Sequence, residues 1–343
     1  MARFIKWFSK IIILAIAIFY AIYNYEINYG LRQLKGQIKI VTNTIPVNQV
    51  LENPNFPDSL KYRIELIEEI KKFTVDSLGL NPSSSYQTYY DQKGKPILWV
   101  ISACPPYSLE NKKWKFPIAG EFSYKGHFEK NIALTELEVL KNKGLDVRLT
   151  PISAWSTLGY LSDPILSSML ERNPGSLAAL IIHELTHGTM FVKNDLEFNE
   201  NLADFIGNHG ALLFLETKYG KNSKEYKDYL VFKSFNDAFS QHISKGIVKL
   251  DSLFQTFSVE MSSIKKDSFK YDLIDKIMIS SESIPGNLHK YKGRGNVNNA
   301  FFTAYRTYQG KQNEFDTILR RDFNNNFKAY LAHLKETKES LGK

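Results

Sequence analysis

Leu180-Ile181-Ile182-His183-Glu184-Leu185-Thr186-His187 is the stretch from which the rest of the chain can be read. The apolar residues Leu180, Ile181, Ile182 and Leu185 predict a buried helix, and on a helix positions four apart share a face. His183 and His187 therefore present their imidazoles to one point, with Glu184 beside them. That set suits a zinc ion: two nitrogen ligands, and a carboxylate to take the proton of a water the metal acidifies. An ordinary amphipathic helix explains the stretch less well, because histidines and a glutamate on a buried helix are costly to desolvate when nothing binds them. Asn173 stands where it can cap this helix, and Pro174 where it can occupy the first turn.

A catalytic zinc takes three protein ligands and leaves one position open. Thirteen positions after His187, Glu200 lies in Phe198-Asn199-Glu200-Asn201-Leu202-Ala203-Asp204. This segment predicts a second helix, running from near Phe198 to Tyr219-Gly220, with Glu200 and Asp204 one turn apart on one face. Glu200 can be the third ligand, and Asp204 can accept a hydrogen bond from a ligand histidine. Lys193-Asn194-Asp195 supplies the turn between the helices. His209 is a competing ligand, but it lies off the Glu200–Asp204 face. Of the other histidines, His127, His242, His289 and His333, only His127 and His289 are retained as candidates for hydrogen bonding to a transition state. The arrangement resembles the Glu-zincin metallopeptidases, whose third ligand is a Glu on a following helix with an Asp four residues later. The gap between the two motifs is shorter here than in the best-known members.

Towards the N-terminus the pattern changes. Pro57-Asp58-Ser59 opens a helix with Leu60, Ile64, Ile67 and Ile70 on one face, stopped by Gly79. Ile97–Ser102, Phe116–Tyr124 (with Gly120 inside it) and Leu145–Ile152 read as strands, and Asn131–Asn142 as a helix stopped by Gly144. The residues from about Tyr90 to Trp155 thus predict a small sheet with a helix on it. Beyond the zinc motif, helices are expected from Ser223 to about Met278. A loop marked by Pro285, Gly286, Gly293 and Gly295 follows, then helix again over Val297–Leu341. Strands followed by helices make an α+β chain: a small mixed sheet, then a mainly helical zinc-binding and C-terminal region.

Arg3, Lys6 and Lys10 precede the apolar run Ile11–Tyr23, and Trp7, Phe8, Phe19, Tyr20, Tyr23 and Tyr25 flank or end it. Basic residues, an apolar run and aromatic borders predict a membrane anchor over residues 1–25. The peptidase body is then 26–343, its α/β part about 26–155 and its helical part 156–343. A cleaved signal peptide and a buried helix of a soluble protein are the competing readings. The small-residue triplet Ala15-Ile16-Ala17 lies inside the run, where cutting would leave almost no hydrophobic segment, which argues for an uncleaved anchor. The expected location is the cell membrane, with the body on the extracytoplasmic, periplasmic side.

Composition narrows the function. The 343 residues carry a net charge of +8, yet Lys and Arg are scattered among acids, as between Lys61 and Lys72, which is not the footprint of a nucleic-acid binder. Cys104 is the one cysteine, so neither a disulfide framework nor a cysteine-rich metal site can form within the chain.

Several segments in a constant order carry a wider resemblance. They are Leu34-Lys35-Gly36-Gln37, Trp114-Lys115-Phe116-Pro117-Ile118-Ala119-Gly120, Tyr124-Lys125-Gly126-His127-Phe128, Ala154-Trp155-Ser156-Thr157-Leu158-Gly159-Tyr160 with Asp163-Pro164, Phe198-Asn199-Glu200, and Asn298-Asn299-Ala300 with Tyr308 after. In these the chain resembles the bacterial family of predicted zinc aminopeptidases that are usually attached to the cell envelope. The resemblance implies a zincin-like fold, one Zn2+ per chain and a peptide substrate. It departs from the family in having no lipobox cysteine near the N-terminus, and in having His127 where an aromatic residue is usual. An aminopeptidase needs a carboxylate for the substrate's free amine, for which Glu121 and Asp163 are candidates. It also needs a donor for the oxyanion, for which Tyr308, Tyr305 and Tyr124 are candidates. The strand Phe116–Tyr124 is expected to flank the cleft and pair with an extended substrate. A zinc endopeptidase with the same metal site and a non-catalytic envelope binding protein are the alternatives. The intact Glu184 argues against the latter.

Overall fold

The apolar N-terminal run begins a helix, α1 (Ala2–Thr42), of 41 residues, about 60 Å at 1.5 Å per residue and twice the thickness of a bilayer's hydrocarbon core. The computed structural model describes residues 2–116, 120–152, 162–193, 195–287, 290–293, 297–309 and 312–337; the side chains of residues 2, 3, 15, 16, 307–309 and 313 lie outside that description. Helix α1 is long and apolar enough to be a membrane span or a signal sequence. Tyr23, at φ −108° and ψ 20°, breaks its regularity. Before that kink, Phe4, Ile13, Leu14 and Ile22 are exposed. After it, the helix lies on the body: Tyr29 Oη and Gln33 Nε2 each donate to Gly126 O at 3.0 Å, and Ile40 is buried. The helix therefore continues well past residue 25.

The next elements are β1 (Ile45–Pro46), α2 (Val47–Glu52) and α3 (Asp58–Phe73), in which Ile64, Ile67 and Ile70 are buried as their spacing predicts. Strands β2 (Thr88–Tyr90) and β3 (Leu98–Cys104) follow. The expected strand Phe116–Tyr124 is instead split. β4 (Trp114–Phe116) and β5 (Gly120–Phe122) form an antiparallel hairpin with Lys115 opposite Glu121, and β6 (Tyr124–His127) joins a different sheet. The reason is local. β4 and β5 pair antiparallel and Gly120 takes φ +89°, so the chain reverses within the stretch read as one strand.

Helix α4 (Lys130–Asn142), β7 (Asp146–Ile152) and β8 (Ile165–Leu166) complete the α/β half. β1-β2-β8 form one small sheet, and β6-β3-β7 form a fully antiparallel one in which Tyr124, Ser102 and Arg148 lie opposite one another in a single row. Side chains alternate across a strand. Ile101, Ala103 and Val147 consequently pack with Ala133, Leu137 and Leu140 of α4. Val100, Ser102, Tyr124, Arg148 and Thr150 face the other way and line a cleft of ≈ 450 Å³.

The second half is helical: α5 (Pro174–Thr189), α6 (Leu196–Tyr219), α7 (Lys224–Gln255), α8 (Ser263–Ser281), α9 (Asn299–Gln309), α10 (Gln312–Phe323) and α11 (Phe327–Thr337). Among the described residues every strand thus precedes α5, interspersed with α1–α4, and only helices follow, an α+β arrangement with helices predominating. The main core joins α3, α5, α6 and the last two helices through Ile67, Ile181, Phe205, Phe315 and Leu331. A second cluster, including Ile243, Leu250, Ile274 and Phe302, joins α7, α8 and α9. The Asn298-Asn299 pair starts α9 as a latch. Asn299 Nδ2 donates to Pro106 O (2.9 Å), Asn299 N–H to Asp146 Oδ2 (2.9 Å), and Asn298 Nδ2 to Val147 O (3.0 Å).

Candidate metal centre

The metal candidates stand where α5 crosses α6. Asn173 Oδ1 accepts from Ser176 N–H at 2.8 Å, starting α5 where the cap pattern places it. Leu177, Ile181, Ile182 and Leu185 turn into the core, which rotates His183 and His187 towards α6. Asp195 Oδ1 caps α6 by accepting from Phe198 N–H at 3.0 Å. Asn199 then closes the connection: its side chain accepts from Val192 N–H and donates to Val192 O, both at 2.8 Å. This clamp brings the next residue, Glu200, back over the two histidines despite the short gap. The helices approach closely because Gly207 faces α5; a Cβ there would lie 2.8 Å from Ala179 O and 3.3 Å from His183 Cβ.

Three donor atoms converge as a result. His183 Nε2 and His187 Nε2 are 3.2 Å apart, and Glu200 Oε2 is 3.5 Å from the first and 3.7 Å from the second. Ligands about 2.0–2.2 Å from a tetrahedral zinc are separated by roughly 3.3 Å, so these spacings fit one ion. The tautomers fit as well. Asp204 Oδ1 lies 2.8 Å from His183 Nδ1, where it can hold the ring proton while Nε2 faces the shared point. His187 Nδ1 is buried with no polar partner among the described residues. His183, His187 and Glu200 can thus hold a metal ion.

The electrostatics ask for a cation. Burial opposes protonation of His183, but the carboxylates of Asp204 and Glu200 outweigh it and hold its pKa well above the ordinary 6.5. Burial would raise the Glu200 carboxyl, but hydrogen bonds from His183 and His187 outweigh that and hold it at about 2. Two imidazoles facing Glu184, Glu200 and Asp204 leave negative charge for an ion to neutralise.

Tyr124 stands beside this set. Burial, and then the charges of Glu200 and Glu184, push its hydroxyl pKa up. With Asp204 it links the centre to the ≈ 450 Å³ cleft, which Tyr305 also lines. Asp163 is buried; its N–H donates to Ser85 Oγ at 3.1 Å. Glu121 stands on the β4–β5 hairpin, paired with Lys115 (2.9 Å) and Lys113 (3.6 Å), on an open groove with Asp195 and Glu197 that adjoins the cleft through Asn111 and Ser123. Tyr308 is in α9, but its side chain lies outside the described residues, as do His289 and the segment Ala154–Tyr160. His127 faces away from the cleft, with Nε2 3.0 Å from Glu136 Oε2 of α4. His209 bonds within its own helix to Phe205 O and approaches Asp316, apart from the three converging donors.

Two residues have no signal in the sequence. Tyr86 is almost fully buried at φ +70°, a strained conformation for a bulky residue, and burial followed by the charges of Glu184 and Asp163 raises its hydroxyl pKa. Arg148 reaches the cleft only through its pairing across the sheet.

Residues 28–341 match the family described as "Putative aminopeptidase". No curated protein and no solved structure matches the chain.

Proposed function

The chain belongs to this aminopeptidase family, and on that footing we propose that it is a zincin-like zinc metallopeptidase, cleaving N-terminal residues from peptides at His183, His187 and Glu200. The observation that carries the zinc reading is the convergence of three donor atoms at 3.2, 3.5 and 3.7 Å on two helices, with Glu184 adjacent in sequence to the first ligand.

Zinc held there supplies Lewis acidity, lowering the pKa of a water and polarising the scissile carbonyl. The protein's own groups do the rest. Asp204 keeps the His183 proton on Nδ1. Glu184 accepts the proton of the attacking water and returns it to the departing amine. A tyrosine hydroxyl, Tyr124 or Tyr308, donates to the carbonyl oxygen as charge develops on it. Glu121 or Asp163 receives the substrate's free α-amine, the group that separates an aminopeptidase from an endopeptidase. Residues 1–25 anchor the chain in the membrane as a single span, and the body, 26–343, works on the extracytoplasmic side.

The test is metal content and turnover of the full-length protein and two variants. We expect about one zinc per chain in the parent, none in His183→Ala, and a full complement in Glu184→Gln with peptide hydrolysis reduced by about 10²–10⁴-fold. Peptides with free amines should be cleaved and N-blocked ones spared. A Glu184→Gln protein as active as the parent would sink the mechanism.

A further inference from the structure

The cleft beside the metal centre contains a cation that no described residue neutralises. Arg148 projects from β7 into it, and no hydrogen bond or ion pair among the described residues engages its guanidinium. The neighbouring carboxylates are otherwise occupied. Asp146, on the same strand face, accepts from Lys270 Nζ at 2.9 and 3.1 Å and from Asn299 N–H. Asp237 is 2.7 Å from Lys233, and Asp204 is 2.8 Å from His183. Burial lowers the Arg148 pKa, a sign of how far the cleft withdraws it from water. A guanidinium has five donors in a planar fork suited to carboxylate. The Phe301 ring, 5.0 Å from Arg148 Cζ, supports the flat face of that fork and leaves its edge open.

Position gives the charge a purpose. Tyr124, Ser102 and Arg148 form one row across β6, β3 and β7. Neighbouring strands lie about 4.8 Å apart, so Arg148 sits roughly 10 Å along the sheet from the tyrosine that flanks Glu184 and Glu200. An extended peptide advances about 3.3–3.6 Å per residue, so that distance is about three residues. The cleft is also lined by Ser102, Thr150, Asn208 and Asn236, hydrogen-bonding groups that suit a peptide backbone, and by the Lys233–Asp237 pair.

We propose that Arg148 binds a carboxylate of the peptide substrate, making short peptides with an anionic group about three residues from the scissile bond the substrate class. The carboxylate is either the free C-terminus of a short peptide or an acidic side chain, and the inference rests on the peptidase reading above. Its test uses the full-length zinc-loaded protein and tri- and tetrapeptides in matched pairs: free acid against C-terminal amide, and Asp or Glu against Asn or Gln. Affinity is measured by calorimetry on the Glu184→Gln variant, and kcat/KM on the parent.

One member of at least one pair should be favoured about tenfold to a hundredfold through its carboxylate, the range expected of a charge-assisted pair. Adding Arg148→Gln should bring that ratio close to one, and Arg148→Lys should restore part of it. A C-terminal preference identifies the terminus as the ligand, and a side-chain preference the acid. Peptides bound with carboxylate dependence but never cleaved would uphold Arg148 and overturn the peptidase. Peptides cleaved with no discrimination in either pair, or with discrimination that survives Arg148→Gln, would overturn the Arg148 assignment and leave the peptidase standing. No peptide binding at all would overturn both.

Discussion

Asp204 is not one of the three converging donors, yet it bears on which nitrogen of His183 is free. With its carboxylate 2.8 Å from Nδ1, the His183 proton can sit there and leave Nε2 free to bind the proposed metal. In Asp204→Asn, the amide can rotate to offer an N–H instead, favouring the wrong tautomer. We expect zinc affinity to fall about 10- to 100-fold, read by competition with a chelator, with the fold intact by circular dichroism. Glu136 shows the same economy on the sheet's far face. Burial would raise its carboxyl from 4.5, but His127 and Lys125 outweigh that and hold it at about 2. The unfolded chain therefore takes up this proton first on acidification. The stability Glu136 adds is complete above pH 4.5 and is lost as pH falls towards 2. Urea titrations of the metal-free protein across that window should show the parent losing on the order of 1–2 kcal/mol more than Glu136→Gln, after allowance for solvent screening. Parallel curves would mean that the cluster adds nothing.

At the scale of elements, the candidate metal centre is a property of how closely α5 and α6 cross. Asn199 sets the connection between them and Gly207 sets their separation. Gly207→Ala would place a methyl 2.8 Å from Ala179 O, backbone that cannot rotate aside. The helices must part, and His183, whose Cβ is 3.3 Å from the new atom, moves with α5. We expect a loss of about 1–3 kcal/mol by thermal or urea unfolding, together with weaker zinc binding. Gly188 is the matched control. It lies on α5 next to His187, and a Cβ there meets nothing within 4 Å. Gly188→Ala should be neutral or slightly stabilising. If both variants bound zinc and melted like the parent, the crossing would not depend on Gly207.

For the whole molecule, helix α1 has two halves with different surroundings. Up to Tyr23 its described large hydrophobic side chains are exposed, while beyond it Tyr29, Gln33 and Ile40 fasten the helix to the body. A chain beginning at Asn24 should stay in solution without detergent and unfold like the full-length protein. One beginning at Asn43 should lose the burial of Ile40 and both donors to Gly126 O, about 3–5 kcal/mol in all. Equal unfolding midpoints for the two truncations would show that the second half of α1 contributes no stability.

The legible parts of this protein are those set by short-range spacing. Two imidazoles four residues apart share a helix face wherever that helix is packed, and Glu200 and Asp204 do the same on theirs. Asn173 and Pro174 mark a helix start through bonds confined to one turn, and the order of strands and helices can be read from local periodicity. The sequence by itself therefore determined the α+β order and the nomination of His183, His187, Glu200 and Asp204. It misread 116–124 as one strand, because a short strand-like run interrupted by Gly120 looks the same in a strand and in a hairpin. Only long-range pairing decides between them. Other features were decided by tertiary structure alone: the Asn199 clamp, the contact of Gly207 with Ala179, and the row that sets Arg148 across from Tyr124. Each joins atoms distant in sequence through strand register or helix crossing, and neither leaves a local pattern.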